Sequence, residues 1–221
     1  MKSDGGGEVL AFFREWLRDP LRVAAVAPSG KALARLMTSE ISHLTGPVIE
    51  LGPGFGAFTR ALVERGVRQE DLALIEFGDS FAEALRLRYP GALTLCMDAT
   101  CLRSIDLFGG VPVGATVSGL PLLSMVPRKV MAILKGAFQK MGSDGAFYQF
   151  TYGPRCPVSL RVLDRLGLEA HRIGGTFANI PPAAVYRIQR GARFSELHVT
   201  GCSDETATGR VFPARVQEHF P

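Results

Sequence analysis

Gly52, Gly54 and Gly56 follow an apolar run that ends in Glu50 and Leu51, and a helix-like segment opens at Phe58 and Thr59. A strand, a glycine turn and a helix in that order bring backbone within reach of a bound cofactor, because glycine accepts positive φ and has no Cβ to block close approach. Taken alone, Gly52-x-Gly54-x-x-Ala57 satisfies the dinucleotide fingerprint. Glu50 argues against that reading, since a carboxylate beside the loop repels a pyrophosphate and suits a cofactor with a cationic end. Two more acids end the next apolar runs. Glu76 is placed to accept from both hydroxyls of a ribose, as it would for a nicotinamide cofactor too, and Asp98 follows the third run. Each also has a purely structural reading: Gly54 turning the chain, Glu76 capping the next helix, Asp98 capping a turn at Thr100.

The elements that must position these residues alternate from Pro47 onward. Strands are expected at residues 48–51, 72–77, 92–96, 113–118 and 146–152, with helices at 58–65, 80–89, 128–141 and 158–166. Buried parallel strands need helices on both faces, joined by right-handed crossovers, so the pattern predicts an α/β, doubly wound, Rossmann-like sheet. Residues 168–177 and 183–189, separated by a Pro181-Pro182 turn, read as a terminal antiparallel hairpin that completes seven strands. Two N-terminal helices precede the sheet. The first, over residues 8–19, places Val9, Leu10, Phe12, Phe13, Trp16 and Leu17 on one face against Arg14, Glu15 and Arg18, and Pro20 ends it. The second begins near Ser29 and runs toward Ile41. The domains divide as 1–45 for the helices, 46–190 for the cofactor-binding sheet and 191–221 for a weakly ordered tail.

Glu50-x-Gly52-x-Gly54-x-Gly56 resembles the first motif of class I S-adenosylmethionine-dependent methyltransferases, and the whole layout is similar to their seven-stranded sheet. Further stretches make the chain resemble, over roughly residues 11 to 190, the bacterial phospholipid N-methyltransferases, whose domain is similar to the ribosomal RNA adenine dimethyltransferases. They are Phe12-Phe13-Arg14-Glu15-Trp16-Leu17-Arg18-Asp19-Pro20, Ala27-Pro28-Ser29, Ser118-Gly119-Leu120-Pro121-Leu122, Phe150-Thr151-Tyr152-Gly153 and Asn179-Ile180-Pro181-Pro182-Ala183. The resemblance implies S-adenosylmethionine as cofactor, S-adenosylhomocysteine as product and no metal. It implies cofactor contacts from Glu50, Gly52, Gly54, Gly56, Glu76, Phe77, Asp98, Ala99 and Ser118. It also implies stepwise methylation of the phosphatidylethanolamine amine toward phosphatidylcholine.

The residues after the fourth strand separate lipid from base chemistry. Methylating adenine N6 needs an acceptor for the exocyclic amine and an aromatic face for the flipped base, which related enzymes supply with Asn or Asp and Tyr or Phe around a proline. Ser118 and Leu122 stand at those places here. An RNA adenine methyltransferase is therefore the alternative rather than the first reading, and a non-enzymatic module with a vestigial loop comes third. For amine methylation the nucleophile must be positioned and deprotonated. Tyr152 is the first candidate proton acceptor, with Tyr148, Tyr186 and His171 behind it and carbonyls near Ser118 and Gly119 able to orient the amine; His171, inside a strand pattern, reads more readily as structural. Arg155, Arg172, Arg187 and Arg190 are the cations available to a headgroup phosphate. Arg187 and Arg190, three apart on one strand, face opposite ways, so at most one reaches the site.

Composition sets the frame. At 221 residues, with 47% hydrophobic and 21% charged residues, the chain fits one globular domain and neither disorder nor a fibrous repeat. The longest uncharged stretch, residues 107 to 127, is too rich in Gly and Pro for a transmembrane helix. The four cysteines form no Cys-x-x-Cys pair, so free thiols are expected. Net charge is +4, with seven Arg against two acids between residues 151 and 193 and a balance of ten against ten over 46–150. Basic ends favour anionic partners. The expectation is a cytoplasmic protein peripherally bound to the inner face of the cell membrane through Phe12, Phe13 and Trp16, with no nucleic-acid partner.

Overall fold

The computed structural model describes residues 27–153, 155–176 and 182–191. The segment 8–19 with Phe12, Phe13 and Trp16, and the tail from residue 192, lie outside the described residues. The first described helix, α1 (Ala27–Met37), is followed by β1 (Val48–Leu51), α2 (Ala57–Glu64), β2 (Leu72–Glu76), α3 (Asp79–Arg88), β3 (Leu93–Cys96) and β4 (Val113–Ser118). The chain continues through α4 (Pro127–Lys140), β5 (Met141–Tyr152), α5 (Leu160–Leu166), β6 (Leu168–Thr176) and β7 (Ala183–Arg190).

These strands form one seven-stranded sheet in the order β3-β2-β1-β4-β5-β7-β6. Pairing is parallel from β3 through β5 and antiparallel for β5 with β7 and β7 with β6, as the terminal hairpin predicted. Both faces are covered. Ile49, Leu51, Ile75 and Phe147 pack with Leu102, Ile133, Leu134 and Leu163 on one side. Val48, Leu72, Leu74, Val117 and Tyr148 pack with Leu33, Met37, Leu62 and Leu85 on the other. This two-sided burial is why β1 and β2 are buried at every position, apolar but for Glu50 and Glu76.

Element ends moved in two places. The second predicted helix begins at Ala27, with Pro28 in the first turn where its missing N–H costs nothing, and stops at Met37 short of Ile41. β5 begins at Met141 directly after α4, five residues before the apolar run at Ala146, because backbone pairing holds Val113 opposite Met141 across a register shift. Strand order reverses between β1 and β4, opening a crevice beyond their carboxyl ends. Register places Leu51 beside Ser118, Ser118 beside Gln149 and Gln149 beside Tyr186 along that rim. No helix among the described residues is long and apolar enough to cross a membrane. Cys96, Cys101 and Cys156 are free thiols.

Candidate active site

All three loop glycines take positive φ, at 66° for Gly52, 53° for Gly54 and 74° for Gly56. Their surroundings differ. A Cβ on Gly52 would lie 2.8 Å from the Leu120 side chain, and one on Gly56 would lie 3.1 Å from Tyr89 and 3.2 Å from Leu85. Gly54 alone of the three faces open space, with nothing within 4 Å. Gly52 and Gly56 are therefore packing glycines, and Gly54 presents bare backbone to the crevice.

Two carboxylates hold this loop. Glu76 accepts from the backbone N–H groups of Gly54, Phe77 and Gly78, each at 2.9 Å. Three charge-assisted bonds fix both the loop and the turn after β2, and about one of the four acceptor positions of a carboxylate stays open for a ribose hydroxyl. Glu50 is fully buried, and Thr59 on α2 donates to its Oε2 at 2.6 Å. Its Oε1 is buried without a partner. Burial pushes the Glu50 carboxyl up to about 8, against the Thr59 hydrogen bonds that lower it, with Glu76 adding a smaller upward push. Such a group is poised to ionise when a cation arrives.

Asp98 does cap the turn that follows it, accepting from Thr100 N at 2.8 Å through Oδ1. That bond, more than Lys129 Nζ at 3.9 Å from Oδ2, holds its carboxyl below the usual range. The structural reading of Asp98 as a cap therefore holds, and the cap uses Oδ1 and not Oδ2. Ala99 beside it is buried, whereas the Phe77 ring at the rim of the crevice is 75% exposed.

At the end of β4, the buried Ser118 Oγ accepts from Leu120 N at 3.3 Å, and Gly119 N donates to Leu51 O at 2.8 Å. A Cβ on Gly119 would fall 2.6 Å from Gly52 O, so the glycine loop and the fourth-strand loop touch through backbone. The Gln149 side chain, 1% exposed, donates from Nε2 to Leu120 O at 3.0 Å and to Phe150 O at 2.9 Å, leaving its Oε1 without a partner. An apolar groove lined by Leu120, Pro121, Leu122, Leu123, Phe150 and Tyr152 adjoins this loop. Tyr152 packs edge-on against Phe150 at 5.4 Å.

The remaining candidates scatter. Tyr148 donates its hydroxyl to Glu40 Oε2 at 3.0 Å, and burial, then Glu40, raise its pKa. Arg187 pairs with Tyr148 in register and places Nε 3.8 Å from the same Glu40 oxygen. Tyr186 is buried, Arg155 and Arg172 are exposed, and His171 lies on edge strand β6 with Nε2 3.2 Å from Glu169. Register places Arg190, one of the four available cations, away from the crevice. β7 runs antiparallel to β5, so Arg190 sits at the end of the sheet opposite the crevice, where it donates to the carbonyls of Phe138, Met141 and Gly142 and covers the Phe138 ring. Its place there is that of a structural cation, away from the crevice. Sequence reading missed Thr59, Lys129, Glu40 and Gln149. Only Gln149 carried a signal, as a polar residue inside an apolar strand.

Neither family models nor curated proteins give a match to the chain. Solved structures do. A TehB-like SAM-dependent methyltransferase from Corynebacterium glutamicum superposes with a TM-score of 0.57 at 15% identity, over 81% of this chain and 98% of that one. The glycopeptide N-methyltransferase MtfA, seen with S-adenosylmethionine, gives 0.56 at 13% identity over 73% and 94%. The 1,6-didemethyltoxoflavin-N1-methyltransferase of Burkholderia thailandensis, seen with 1,6-didemethyltoxoflavin and S-adenosylhomocysteine, gives 0.55 at 14% over 83% and 88%. What the chain shares with them is the fold, the Rossmann-like sheet of the methyltransferases.

Proposed function

We propose that the protein is an S-adenosylmethionine-dependent N-methyltransferase acting on the amine of phosphatidylethanolamine at a membrane surface. The observation that carries the cofactor is the pairing of Gly54, bare toward the crevice, with the buried Glu50, whose Oε1 lacks a partner. A cofactor with a cationic amino-acid end supplies what that oxygen lacks. Glu50 would face the methionine end, Glu76 the ribose and Asp98 the adenine amine. When bound, S-adenosylmethionine supplies a methyl group on a sulfonium centre.

The chain's own task is then to bind an amine and free its lone pair. A primary ammonium has a pKa near 10, so the nucleophile must lose a proton. Leu122 N and Gln149 both donate to the carbonyl of Leu120, and Ser118 lies within the β4–β5 ladder, so the carbonyl near Gly119 is the candidate to orient an amine. Tyr152, lining the apolar groove beside them, is the first candidate to receive the proton. Base methylation fits less well, because Leu122 is buried in a short turn and offers no aromatic face. The lipid substrate rests on the sequence resemblance, supported by this apolar groove and by the exposed Leu123 and Val126 beside it. Contact with the bilayer is assigned to the amphipathic segment carrying Phe12, Phe13 and Trp16. The test is to incubate the full chain with methyl-labelled donor and either phosphatidylethanolamine vesicles or total RNA. Label in mono-, di- or trimethylated lipid is expected, and label in RNA as N6-methyladenosine overturns the lipid reading.

A further inference from the structure

We propose that the cleft between α1 and α2 is a binding site for a phosphate group, distinct from the cofactor crevice. Lys31, Arg35 and Arg60 line it over a floor of Ala34, Ala57 and Ala61, and Glu64 is the one acid among its lining residues. The cleft measures about 80 Å³, room for a small oxyanion rather than a single water.

Three physical points favour an anion. Lys31 and Arg35 stand four residues apart on α1 and so share a face, a spacing at which like charges weaken a helix. Neither makes an ion pair with a described residue, whereas Arg65 is committed to the carbonyls of Ile41 and Ser39, Arg68 to Asp71 and Arg88 to Phe55 O. Glu64 is 4.0 Å from Arg60 and offsets one of the three cations, leaving a concave surface with positive charge in excess. The alanine floor lets a tetrahedral anion approach the cations from between the helices, and guanidinium forks match its oxygens. Ala57 follows Gly56 directly, so the cleft opens beside the cofactor loop.

A phosphate can reach this cleft on a lipid headgroup or free in solution, and the lipid source rests on the membrane reading above. The two separate in one experiment on the full chain and on Lys31→Ala/Arg35→Ala. Sedimentation is measured with phosphatidylcholine vesicles with and without phosphatidylglycerol, inorganic phosphate is titrated by calorimetry, and S-adenosylhomocysteine titration checks that the variant is folded. We expect the parent chain to bind phosphatidylglycerol vesicles, the double variant to bind them about 30-fold more weakly, and cofactor binding to be unchanged. Phosphate binding that the variant loses, without vesicle binding by either chain, keeps the site and overturns the membrane reading. Equal binding of parent and folded variant to both vesicles and phosphate overturns the site.

Discussion

Gln149 holds Leu120 by its carbonyl, at 3.0 Å, while Ser118 holds the same residue by its amide, at 3.3 Å. Leu120 in turn packs where a side chain on Gly52 would have to go. Two buried side chains, Ser118 at the end of β4 and Gln149 beside it on β5, thus fix the residue that joins the fourth-strand loop to the glycine loop. Gln149→Leu strips the carbonyls of Leu120 and Phe150 of this donor. It should cost about 1 to 3 kcal/mol and several degrees in Tm. The same variant should weaken S-adenosylhomocysteine binding in calorimetry, because Leu120 is released from Gly52. An unchanged Tm would show that the clamp contributes nothing.

Glu50 gives stability a pH dependence of known sign. Its carboxyl titrates near 4.5 when unperturbed and near 8 in the folded chain. Between those values the native state holds a proton that the unfolded chain has lost, so stability falls as pH rises from about 4.5 to 8 and levels off above. At about 1.4 kcal/mol per pKa unit the full effect is at most about 5 kcal/mol. Glu50→Gln, which keeps an acceptor for Thr59, should flatten this slope and leave the cofactor-free protein more stable than its parent at pH 9 in denaturant titrations. A cationic ligand end favours the ionised form, so S-adenosylhomocysteine affinity should rise with pH toward 8 in the parent, with proton release, and stay level in the variant. Parallel stability curves for the two proteins across this range would remove Glu50 from the account.

How much of this was legible in the sequence depends on the range of the interaction. The glycine loop, Glu50, Glu76 and Asp98 sit at strand ends, and strand ends follow from local apolar runs, so topology and crevice were readable from spacing. Thr59 reaching Glu50 and Glu40 reaching Tyr148 depend on how helices and loops pack across the sheet face. No local pattern encodes that. The extra length of β5 before Ala146 was hidden because Gly142, Ser143 and Asp144 resemble a loop while pairing brings in the strand's first residue.

Arg190 shows the same limit in a testable form. Its spacing from Arg187 correctly predicts opposite faces, but its place at the far end of the sheet follows from β7 pairing with β5, a partner that the hairpin alone does not name. There it donates to several main-chain carbonyls that close the junction of α4 and β5, and burial lowers its pKa. Arg190→Ala should lower Tm by several degrees, since hydrogen bonds to a charged group contribute about 1.5 to 3 kcal/mol each. KM for a phosphate-bearing acceptor should not change. A raised KM with unchanged Tm would return Arg190 to the substrate site.

Gly54 and Gly119 separate binding from folding. Both lie at the crevice, and both would be read as flexible turn residues. Gly54 adopts φ 53° in open space, so Gly54→Ala carries only the left-handed backbone cost, about 1 to 2 kcal/mol. Its methyl would then occupy the face proposed for the cofactor. Gly119 has no positive φ, but its Cβ would lie 2.6 Å from the Gly52 carbonyl oxygen, a backbone atom of a residue whose N–H is tied to Ile75 O. Gly119→Ala should therefore lose more in Tm than Gly54→Ala, because the two loops are forced apart. Gly54→Leu should fold, with a Tm within a few degrees of the parent, yet show no calorimetric response to S-adenosylhomocysteine. If Gly54→Leu binds S-adenosylhomocysteine as the parent does, the cofactor does not pass over this loop, and the assignment of Glu50 and Glu76 to its two ends falls with it.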